Sequence, residues 1–366
     1  MKKLRFAMIG GFLGAGKTTT MARLGRFYAD RGLRVGLVTN DQAQNLVDTT
    51  SLRAQGFNVE EVAGACFCCK FDDLVDKIAS LAQDQRPDIV LAEPVGSCTD
   101  LVATVVQPLR DLYGDRFEVA PYPVLFKPSH GLKILKNETG SGFSPKAAYI
   151  FRKQLEEADA IVVNRIDEIA PGDLEALGRL LAEAYPGVPV VRMSAKTGAG
   201  FDGLTALLDL EGAFGRRILD IDYDIYAEGE AELGWLNASC GLQSSQPIDL
   251  DALLLRLAGE LHATFRRLGS EVAHLKVIGL QDLSFGVANV VSNESVAELS
   301  LASCGRVTRA DVIVNARVAA DPALLEATVR EQIAAIGRTF GAEIAVVSLQ
   351  SFRPGRPTPT HRYAKT

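Results

Sequence analysis

The sequence of 366 residues contains few histidines, a single tryptophan and no excess of positive charge. There are four histidines, and the formal net charge is −6. A chain with this acidic balance lacks the positive field that attracts a phosphate backbone. We therefore expect no nucleic-acid partner.

Long apolar runs are also missing. No run approaches the roughly 20 residues that a transmembrane helix needs, so we expect no membrane span. The apolar stretch after Lys2 and Lys3 is broken by glycines and lacks the small-residue cleavage site of a signal peptide. We therefore expect a cytoplasmic protein. The length indicates about two domains.

The six cysteines are not spaced like the disulfide framework of a secreted protein. Three lie together (Cys66, Cys68 and Cys69) and three are single (Cys98, Cys240 and Cys304). In a reducing compartment, a tight group of cysteines indicates metal or redox chemistry. We expect the single cysteines to be small buried hydrophobic residues.

The first 200 residues or so alternate short apolar runs with amphipathic segments, which predicts βαβ units and a mostly parallel sheet. The predicted strands are Leu4–Ile9, Arg34–Thr39, Ile89–Glu93, Tyr122–Phe126, Ala160–Asn164 and Val188–Met193. The predicted helices include Lys17–Arg31, Phe71–Gln83, Pro145–Glu157 and Pro171–Ala184. The Gly/Ser-rich segment Ser129–Ser144 is interpreted as a surface loop. This α/β domain, of the P-loop class by the motif described below, is assigned to residues 1–212.

The second half of the chain has a different pattern, and residues 222–352 predict a smaller α+β domain. An acidic stretch between residues 220 and 232 is interpreted as the connection between the domains. Strands and helices then follow in an order close to βαββαβ, a ferredoxin-like arrangement. Residues 353–366 form a Pro/Arg-rich tail that we expect to be extended and disordered rather than docked. We also expect a fragment ending near Leu219 to retain nucleotide binding.

The clearest motif is a P-loop that follows the first predicted strand. The segment from Gly11 to Thr18 fits the pattern G-x-x-x-x-G-K-[ST]. Its glycines allow backbone N–H groups to face a phosphate at the start of a helix. Lys17 would reach the β- and γ-phosphates, and the Thr18 hydroxyl would ligate Mg²⁺. The predicted nucleotide-binding residues here are Gly11, Gly14, Ala15, Gly16, Lys17, Thr18 and Thr19.

Two later segments favour GTP over ATP. Asn164-Arg165-Ile166-Asp167 resembles the N-K-x-D guanine motif, in which the aspartate accepts two hydrogen bonds that adenine does not offer. Ser194-Ala195-Lys196 matches the loop that backs the base in GTPases. Arg165 replaces the usual lysine, and its planar guanidinium can still lie over a ring.

Three acidic residues complete the predicted magnesium and catalytic site. Glu93 ends an apolar strand where a Walker B acid would stand, Asp41 ends the strand before it, and Asp48 lies seven residues further on. They are candidates for holding Mg²⁺, the attacking water and the γ-phosphate. For Asp48, a helix cap is an equally good interpretation.

The cysteine segment Gly64-Ala65-Cys66-Phe67-Cys68-Cys69-Lys70 lies between two strands and just before a predicted helix. Three thiols within four residues suit Zn²⁺, Co²⁺ or Cu⁺, and they also suit a redox pair. We expect the N-terminus of the following helix to lower the pKa of the thiols.

Taken in order, these motifs resemble the CobW-like GTPases, relatives of UreG and HypB. The resemblance also includes Gln154-Leu155-x-x-Ala158-Asp159 and extends over roughly residues 4–210. It implies a GTPase that binds a transition metal ion and delivers it to, or activates, a client metalloenzyme. The implied metal ligands are Cys66, Cys68 and Cys69, and the implied magnesium and switch residues are Thr18, Asp41, Asp48 and Glu93. It also allows a GTP-dependent homodimer.

Departures from the family pattern narrow this expectation. The family's usual sequence is replaced at two places, by Asn40-Asp41-Gln42 and by Pro94-Val95-Gly96-Ser97. The sequence also lacks a histidine-rich loop. We therefore expect one Zn²⁺ or Co²⁺ ion per chain rather than a store of several. Two alternatives stay open, namely an activator whose cysteines sense metal or redox state, and a module in which zinc is purely structural.

Overall fold

The computed structural model describes residues 3–41, 49, 52–53, 55–84, 86–136, 144–281 and 284–365. They form two compact units. The first contains the described residues up to 41, residues 55–229 and the tail residues 356–365, and the second is built mainly from residues 230–355. The predicted domain limits of 1–212, 222–352 and 353–366 stay a prediction, and the structure places most of the tail with the first unit.

The sheet of the first unit is parallel throughout and has two sections. Its strands are β1 (Leu4–Met8), β2 (Gly10–Gly11), β3 (Val35–Asp41), β4 (Val59–Ala63), β5 (Ile89–Glu93), β6 (Phe117–Val119), β7 (Pro123–Phe126), β8 (Ala160–Val163) and β9 (Val190–Arg192). One section has the order β4-β3-β5-β1-β6 and the other has the order β2-β7-β8-β9. Because only Ile9 separates β1 from β2, the chain passes directly from one section to the other.

Helices follow most of these strands. They are α1 (Lys17–Asp30), α2 (Phe71–Asp84), α3 (Gln107–Tyr113), α4 (Pro128–Leu135), α5 (Pro145–Glu157), α6 (Pro171–Ala184), α7 (Phe201–Leu208) and α8 (Tyr223–Ala231). A π-helix, Val102–Val106, leads into α3, and a 3₁₀ turn, Ile166–Glu168, follows β8. Strands β5, β7 and β8 are buried along their whole length, as expected for parallel strands covered on both faces.

Two of these helices correct the sequence-based predictions. Helix α4 occupies part of the segment that we interpreted as a surface loop. Helix α8 lies within the acidic stretch that we interpreted as a connection. The helix begins there because the Asp222 carboxylate accepts hydrogen bonds from the backbone N–H groups of Asp224 and Ile225, at 2.8 and 3.1 Å.

In its described residues from 230 onwards, the second unit is an antiparallel sheet with two helices. Its elements are β10 (Gly234–Asp249), α9 (Leu250–Arg267), β11 (Val272–Gln281), β12 (Ser284–Val290), β13 (Glu298–Leu301), β14 (Arg306–Val318), α10 (Pro322–Phe340) and β15 (Ala342–Phe352). The strand order is β13-β12-β11-β14-β10-β15. Helix α9 contributes mainly leucine side chains to the core, and α10 contributes leucine, valine and isoleucine side chains. Asp249 and Asp321 cap the two helices through their side chains.

The predicted fold class is therefore confirmed: a P-loop α/β domain with a mostly parallel sheet is followed by a smaller α+β domain. Within the described residues, no helix is both long and apolar enough to cross a membrane.

Candidate nucleotide and metal site

The predicted P-loop connects β2 to α1. Gly11, Gly14 and Gly16 have φ angles of 144°, 71° and 86°, which side-chain-bearing residues rarely adopt. Lys17 is the first residue of α1, and its buried ammonium donates a hydrogen bond to the Gly11 carbonyl at 3.0 Å. The loop thus curls around the N-terminus of a helix, which is a general anion-binding arrangement. The predicted residues Ala15 and Thr19 are buried and exposed, respectively.

The predicted Walker B acid lies beside this loop. The Thr18 hydroxyl donates a hydrogen bond to Glu93 Oε1 at 3.1 Å, and Glu93 is the buried last residue of β5. Three residues later, a Cβ added to Gly96 would lie 2.9 Å from the Lys17 ammonium. The loop after β5 therefore passes directly against the P-loop lysine and threonine.

Gln154 holds this loop in place from helix α5. Its side-chain amide is buried and donates hydrogen bonds to the carbonyls of Gly96 at 3.0 Å and of Cys98 at 2.7 Å. The sequence marked Gln154 only as part of a family motif, without a role. The structure shows that it fixes the backbone between Glu93, the predicted Walker B acid, and Cys98.

Asn164 joins the P-loop to the predicted base-binding loop. Its amide group donates to the Ala15 carbonyl at 2.7 Å and accepts from the Ala195 backbone N–H at 2.9 Å. Ser194 is buried, and its hydroxyl accepts from the Thr197 N–H at 3.1 Å. The structure therefore brings the two guanine-type segments together on the P-loop.

The remaining predicted base contacts are near the surface. Asp167 lies in the exposed 3₁₀ turn that follows Asn164, and Lys196 is exposed. Arg165 has a φ of 62°, and its guanidinium forms an ion pair with Glu168 at 2.7 Å. The expectation that this guanidinium can also lie over the ring of a bound base stays a prediction.

Arg23 holds the predicted base-binding loop and was missed by the sequence analysis. From helix α1 it donates to the carbonyls of Ala195 at 2.8 Å and of Lys196 at 3.0 Å. No local motif marks this arginine, because its partners lie more than 170 residues further along the chain.

The three clustered cysteines converge at a turn that leads into α2. Their Sγ atoms are 2.9 Å apart for Cys66 and Cys68, 3.3 Å for Cys66 and Cys69, and 3.8 Å for Cys68 and Cys69. Cys66 and Cys68 are buried, and Cys69 is half-buried. The backbone N–H groups of Cys69 and Lys70 both donate to the Cys66 carbonyl, which closes the turn. Three thiols in this arrangement match the donor set of a thiophilic ion such as Zn²⁺ or Co²⁺.

Asn40 anchors this turn to the sheet. Near the end of β3, its buried amide donates to the carbonyls of Val62 and Ala65 at 2.8 and 2.7 Å and accepts from the Phe67 N–H at 2.8 Å. The next residue, Asp41, is the last of β3. The other predicted switch residue, Asp48, lies outside the described residues.

The three thiols have different acidities. Hydrogen bonds from the Cys68 thiol, and then from Cys69 and Cys98, hold the pKa of Cys66 well below its usual value. The same contact with Cys66 raises the pKa of Cys68, and it raises the pKa of Cys69 to about 11. We predicted that a helix N-terminus would lower the pKa of all three. The lowering is limited to Cys66 because neighbouring thiols share one negative charge.

The single cysteines differ in their surroundings. Cys98 and Cys240 are buried as predicted, whereas Cys304 is exposed and adopts a φ of 52°. Cys98 is more than a buried hydrophobic residue, because its thiol is hydrogen-bonded to Cys66. This fourth thiol escaped the sequence analysis because it comes from a different loop, 29 residues beyond Cys69.

The thiol turn and the P-loop lie within one parallel α/β unit, and the P-loop defines this unit as a P-loop nucleotide-binding domain. The chain belongs to the CobW/HypB/UreG family, whose nucleotide-binding domain matches residues 5–192. The predicted family resemblance is thus confirmed, and with it a GTP-binding P-loop domain.

Relatives with curated names include a zinc chaperone and a urease accessory protein. The zinc chaperone YeiR of Escherichia coli is 30% identical over 183 residues, which covers 48% of this chain and 50% of YeiR. The urease accessory protein UreG of Metallosphaera sedula is 26% identical over 227 residues, covering 57% of this chain and 96% of UreG. The match therefore spans only half of YeiR's own length.

Among solved structures, HypB from Helicobacter pylori in complex with nickel is 18% identical. It aligns with a TM-score of 0.42 and covers 57% of this chain and 86% of that one.

Proposed function

We propose that this protein binds and hydrolyses GTP and couples its nucleotide state to the binding and delivery of a transition metal ion, Zn²⁺ or Co²⁺, to a client metalloenzyme. The observation that carries the proposal is the position of Asn40. This residue fixes the cysteine turn from the end of β3 and directly precedes Asp41, a predicted magnesium and switch residue. A change at this strand end on nucleotide binding would act on the thiols through the two hydrogen bonds to Ala65 and Phe67, on either side of Cys66.

On the nucleotide side, Lys17 would pair with the β- and γ-phosphates, and Mg²⁺ would be held by Thr18 with Glu93 and Asp41. When bound, Mg²⁺ neutralises the negative charge that develops on the phosphates. The close contact of Thr18 with Glu93 supports this assignment, since both groups are already directed at one point. Asp48 would orient the attacking water or sense the γ-phosphate.

Base selection would be the task of Asp167, with Asn164, Arg165 and the Ser194–Lys196 loop behind the base. A carboxylate accepting two hydrogen bonds from guanine rejects adenine, which offers no such donor pair. We expect GTP to bind at least about tenfold more tightly than ATP, since a lost hydrogen bond to a charged group costs roughly 1.5–3 kcal/mol.

The metal ion is the cargo of this proposed machine, and Cys66, Cys68 and Cys69 would be its ligands. The half-buried position of Cys69 gives the ion a route to solvent, while Cys66 and Cys68 hold it from the interior. A delivery protein needs both properties. The client would be a metalloenzyme that receives the ion, and a GTP-dependent homodimer would provide a second level of control.

One alternative has its own observation. The Cys66 and Cys68 sulfurs are 2.9 Å apart, so a small movement would allow a disulfide, and the chain would then be an activator whose cysteines sense redox state. Metal removal distinguishes a purely structural zinc site from both the delivery function and the sensing function. A structural site should unfold its domain without the ion, whereas a delivery site should leave it folded.

The test is a linkage measurement on the full chain. Co²⁺ affinity is measured by its thiolate absorption band in the GDP state and with a non-hydrolysable GTP analogue. A useful switch requires a ratio of about five to 150 between the Co²⁺ affinities of the two states. By linkage, the ratio of GTP-analogue affinity to GDP affinity must change by the same factor when the metal binds. The serine triple variant of Cys66, Cys68 and Cys69 should lose the band and retain GTP binding. Cys304→Ser, which removes an exposed thiol, is the matched control.

Identical Co²⁺ affinities in the two nucleotide states would contradict the coupling. Equal affinities for GTP and ATP would contradict the base assignment. A thiolate band that persists in the triple variant would place the metal elsewhere in the chain.

A further inference from the structure

We predicted a disordered C-terminal tail. In the structure, the tail instead lies along the cysteine turn. The Thr358 N–H donates a hydrogen bond to Cys69 Sγ at 3.3 Å, and the Thr360 N–H donates to the Cys68 carbonyl at 2.8 Å. The Thr360 hydroxyl donates to the Cys69 carbonyl at 3.3 Å. His361 places its ring against Phe71, with centroids 5.1 Å apart. Two of the three clustered cysteines are thus touched by the tail.

The tail sequence explains this geometry. In Pro357-Thr358-Pro359-Thr360 every second residue is a proline, which has no N–H and a fixed φ. The only backbone donors are therefore those of Thr358 and Thr360, and both are directed at the cysteine segment. Because proline restricts the free chain as well, docking this segment loses less conformational entropy than docking an ordinary tail would.

A buried charge fastens the tail beyond these threonines. The Arg362 guanidinium donates to Asp100 Oδ2 at 2.7 Å, and Asp100 is fully buried. Tyr223 donates to the same oxygen at 2.8 Å. Burial raises the pKa of the Asp100 carboxyl, and Arg362 opposes that shift. A carboxylate buried this deeply needs a countercharge, so Arg362 is an anchor rather than a surface ion pair.

A second contact holds the tail at a π-helix carbonyl that has no backbone N–H donor in the i to i+5 pattern. In an i to i+5 pattern the Ala103 carbonyl would accept from residue 108, but Pro108 has no N–H to donate. The Gln107 N–H is bound to the Val102 carbonyl instead. The Tyr363 N–H supplies the missing donor to Ala103 at 3.0 Å.

These contacts have a common consequence. Asp100 and Ala103 lie on the segment that continues from Glu93 and Gly96, which contact Thr18 and Lys17 of the P-loop. The tail therefore spans two places, the cysteine turn at residues 358–360 and the segment beyond the Walker B acid at residues 362–363.

We propose that residues 356–365 are a strap that closes the metal site: the ion enters and leaves only when the strap lifts from Cys69, and the strap is held down through Arg362 and Tyr363 by the segment that follows Glu93. This rests on the proposed function in one respect, that Cys66, Cys68 and Cys69 hold the cargo. Through the strap, the segment that follows Glu93 controls access to Cys69, the half-buried member of the thiol cluster.

The experiment compares two arginines of the strap in the full chain. Arg362→Gln removes the anchor to buried Asp100, whereas Arg356→Gln removes the same charge from an exposed pair with Asp224. The first readout is amide hydrogen exchange of residues 356–365 in the metal-free protein. The second is the rate at which a chelator removes Co²⁺ from the loaded protein. Asp100→Asn removes the same ion pair from the other side and keeps a residue type that tolerates the φ of 64°.

We expect protected tail amides in the parent and in Arg356→Gln, and loss of protection in Arg362→Gln and Asp100→Asn. Co²⁺ release should be about tenfold faster in the latter two and unchanged within about twofold in Arg356→Gln. Unprotected tail amides in the parent would overturn the docking. If the tail amides are protected in the parent but Co²⁺ is released at the same rate from the parent and from all three variants, the tail does not gate the site. If the parent binds no Co²⁺, the proposed function and the gating fail together, while exchange alone still decides whether the tail is docked.

Discussion

Replacing Asn40 by alanine tests the link between the sheet and the cysteine turn. The substitution removes three hydrogen bonds, to the carbonyls of Val62 and Ala65 and from the N–H of Phe67. At about 1 kcal/mol net for each bond, the loss of unfolding free energy should be about 3 kcal/mol. Residues that orient metal ligands without touching the ion typically change metal affinity by roughly 10- to 100-fold. We therefore expect Co²⁺ to bind Asn40→Ala in that range more weakly than it binds the parent.

The chain contains a matched asparagine in its second unit. Asn293 also makes three hydrogen bonds, accepting from the Val272 N–H at 2.9 Å and donating to Ser270 and Glu271 at 3.2 and 2.7 Å. Asn293→Ala should reduce stability by a comparable amount and leave Co²⁺ affinity unchanged. Urea unfolding gives the first quantity, and Co²⁺ titration against a competing chelator gives the second. If Asn40→Ala loses stability but binds Co²⁺ like the parent, the turn does not depend on this anchor and the reasoning is refuted.

Three further predictions address the rest of the first unit. Gly96→Ala should weaken GTP binding by at least about tenfold, because the added Cβ would meet the Lys17 ammonium. Gly172→Ala adds a Cβ in open space and should leave GTP binding unchanged. Equal GTP affinities of the two variants by calorimetry would contradict this prediction. Burial raises the pKa of the Glu157 carboxyl, so its stabilising contribution is complete below the ordinary glutamate pKa and is lost as the pH rises towards the folded-state pKa. Glu157→Gln should therefore resist urea better than the parent at about pH 8 and equally at about pH 4. The same difference at both pH values would exclude this titration. A fragment ending at Leu219 should be less stable than the full chain, because buried Asp100 loses both partners, and an unchanged melting temperature would show that they are dispensable.

Local patterns allowed the sequence to predict the fold. The P-loop was predictable because its glycine spacing serves one backbone geometry, and the structure has the three glycines at positive φ. Strands of the second unit were predictable from their apolar alternation and from the long helices between them. Helix α8 was missed because its acidic composition was given more weight than Asp222, whose position before the helix is an ordinary N-cap signal.

The parts of the site that could not be predicted depend on contacts between distant segments. Cys98 contacts Cys66 from another loop. Arg23 contacts the Ser194–Lys196 loop although the two are more than 170 residues apart in the sequence. The tail is the clearest case. Its composition favours an extended chain, which the structure has, but whether such a chain docks depends on Asp100, a buried charge more than 260 residues away. No periodicity in the tail carries that information.

Two physical connections therefore lead from the proposed nucleotide-binding segments to the thiols, and they act on different sulfurs. Asn40 fixes the backbone on both sides of Cys66, the thiol with the lowered pKa, and so influences how the buried part of the cluster holds an ion. The strap contacts Cys69, the half-buried member, and so influences whether the ion can leave. If affinity and release are controlled separately, Asn40→Ala should change the equilibrium for Co²⁺ and Arg362→Gln mainly its rates. The fold-changes that the two substitutions cause in the dissociation rate should then multiply in the double variant, since residues that share no partner have free-energy effects that add.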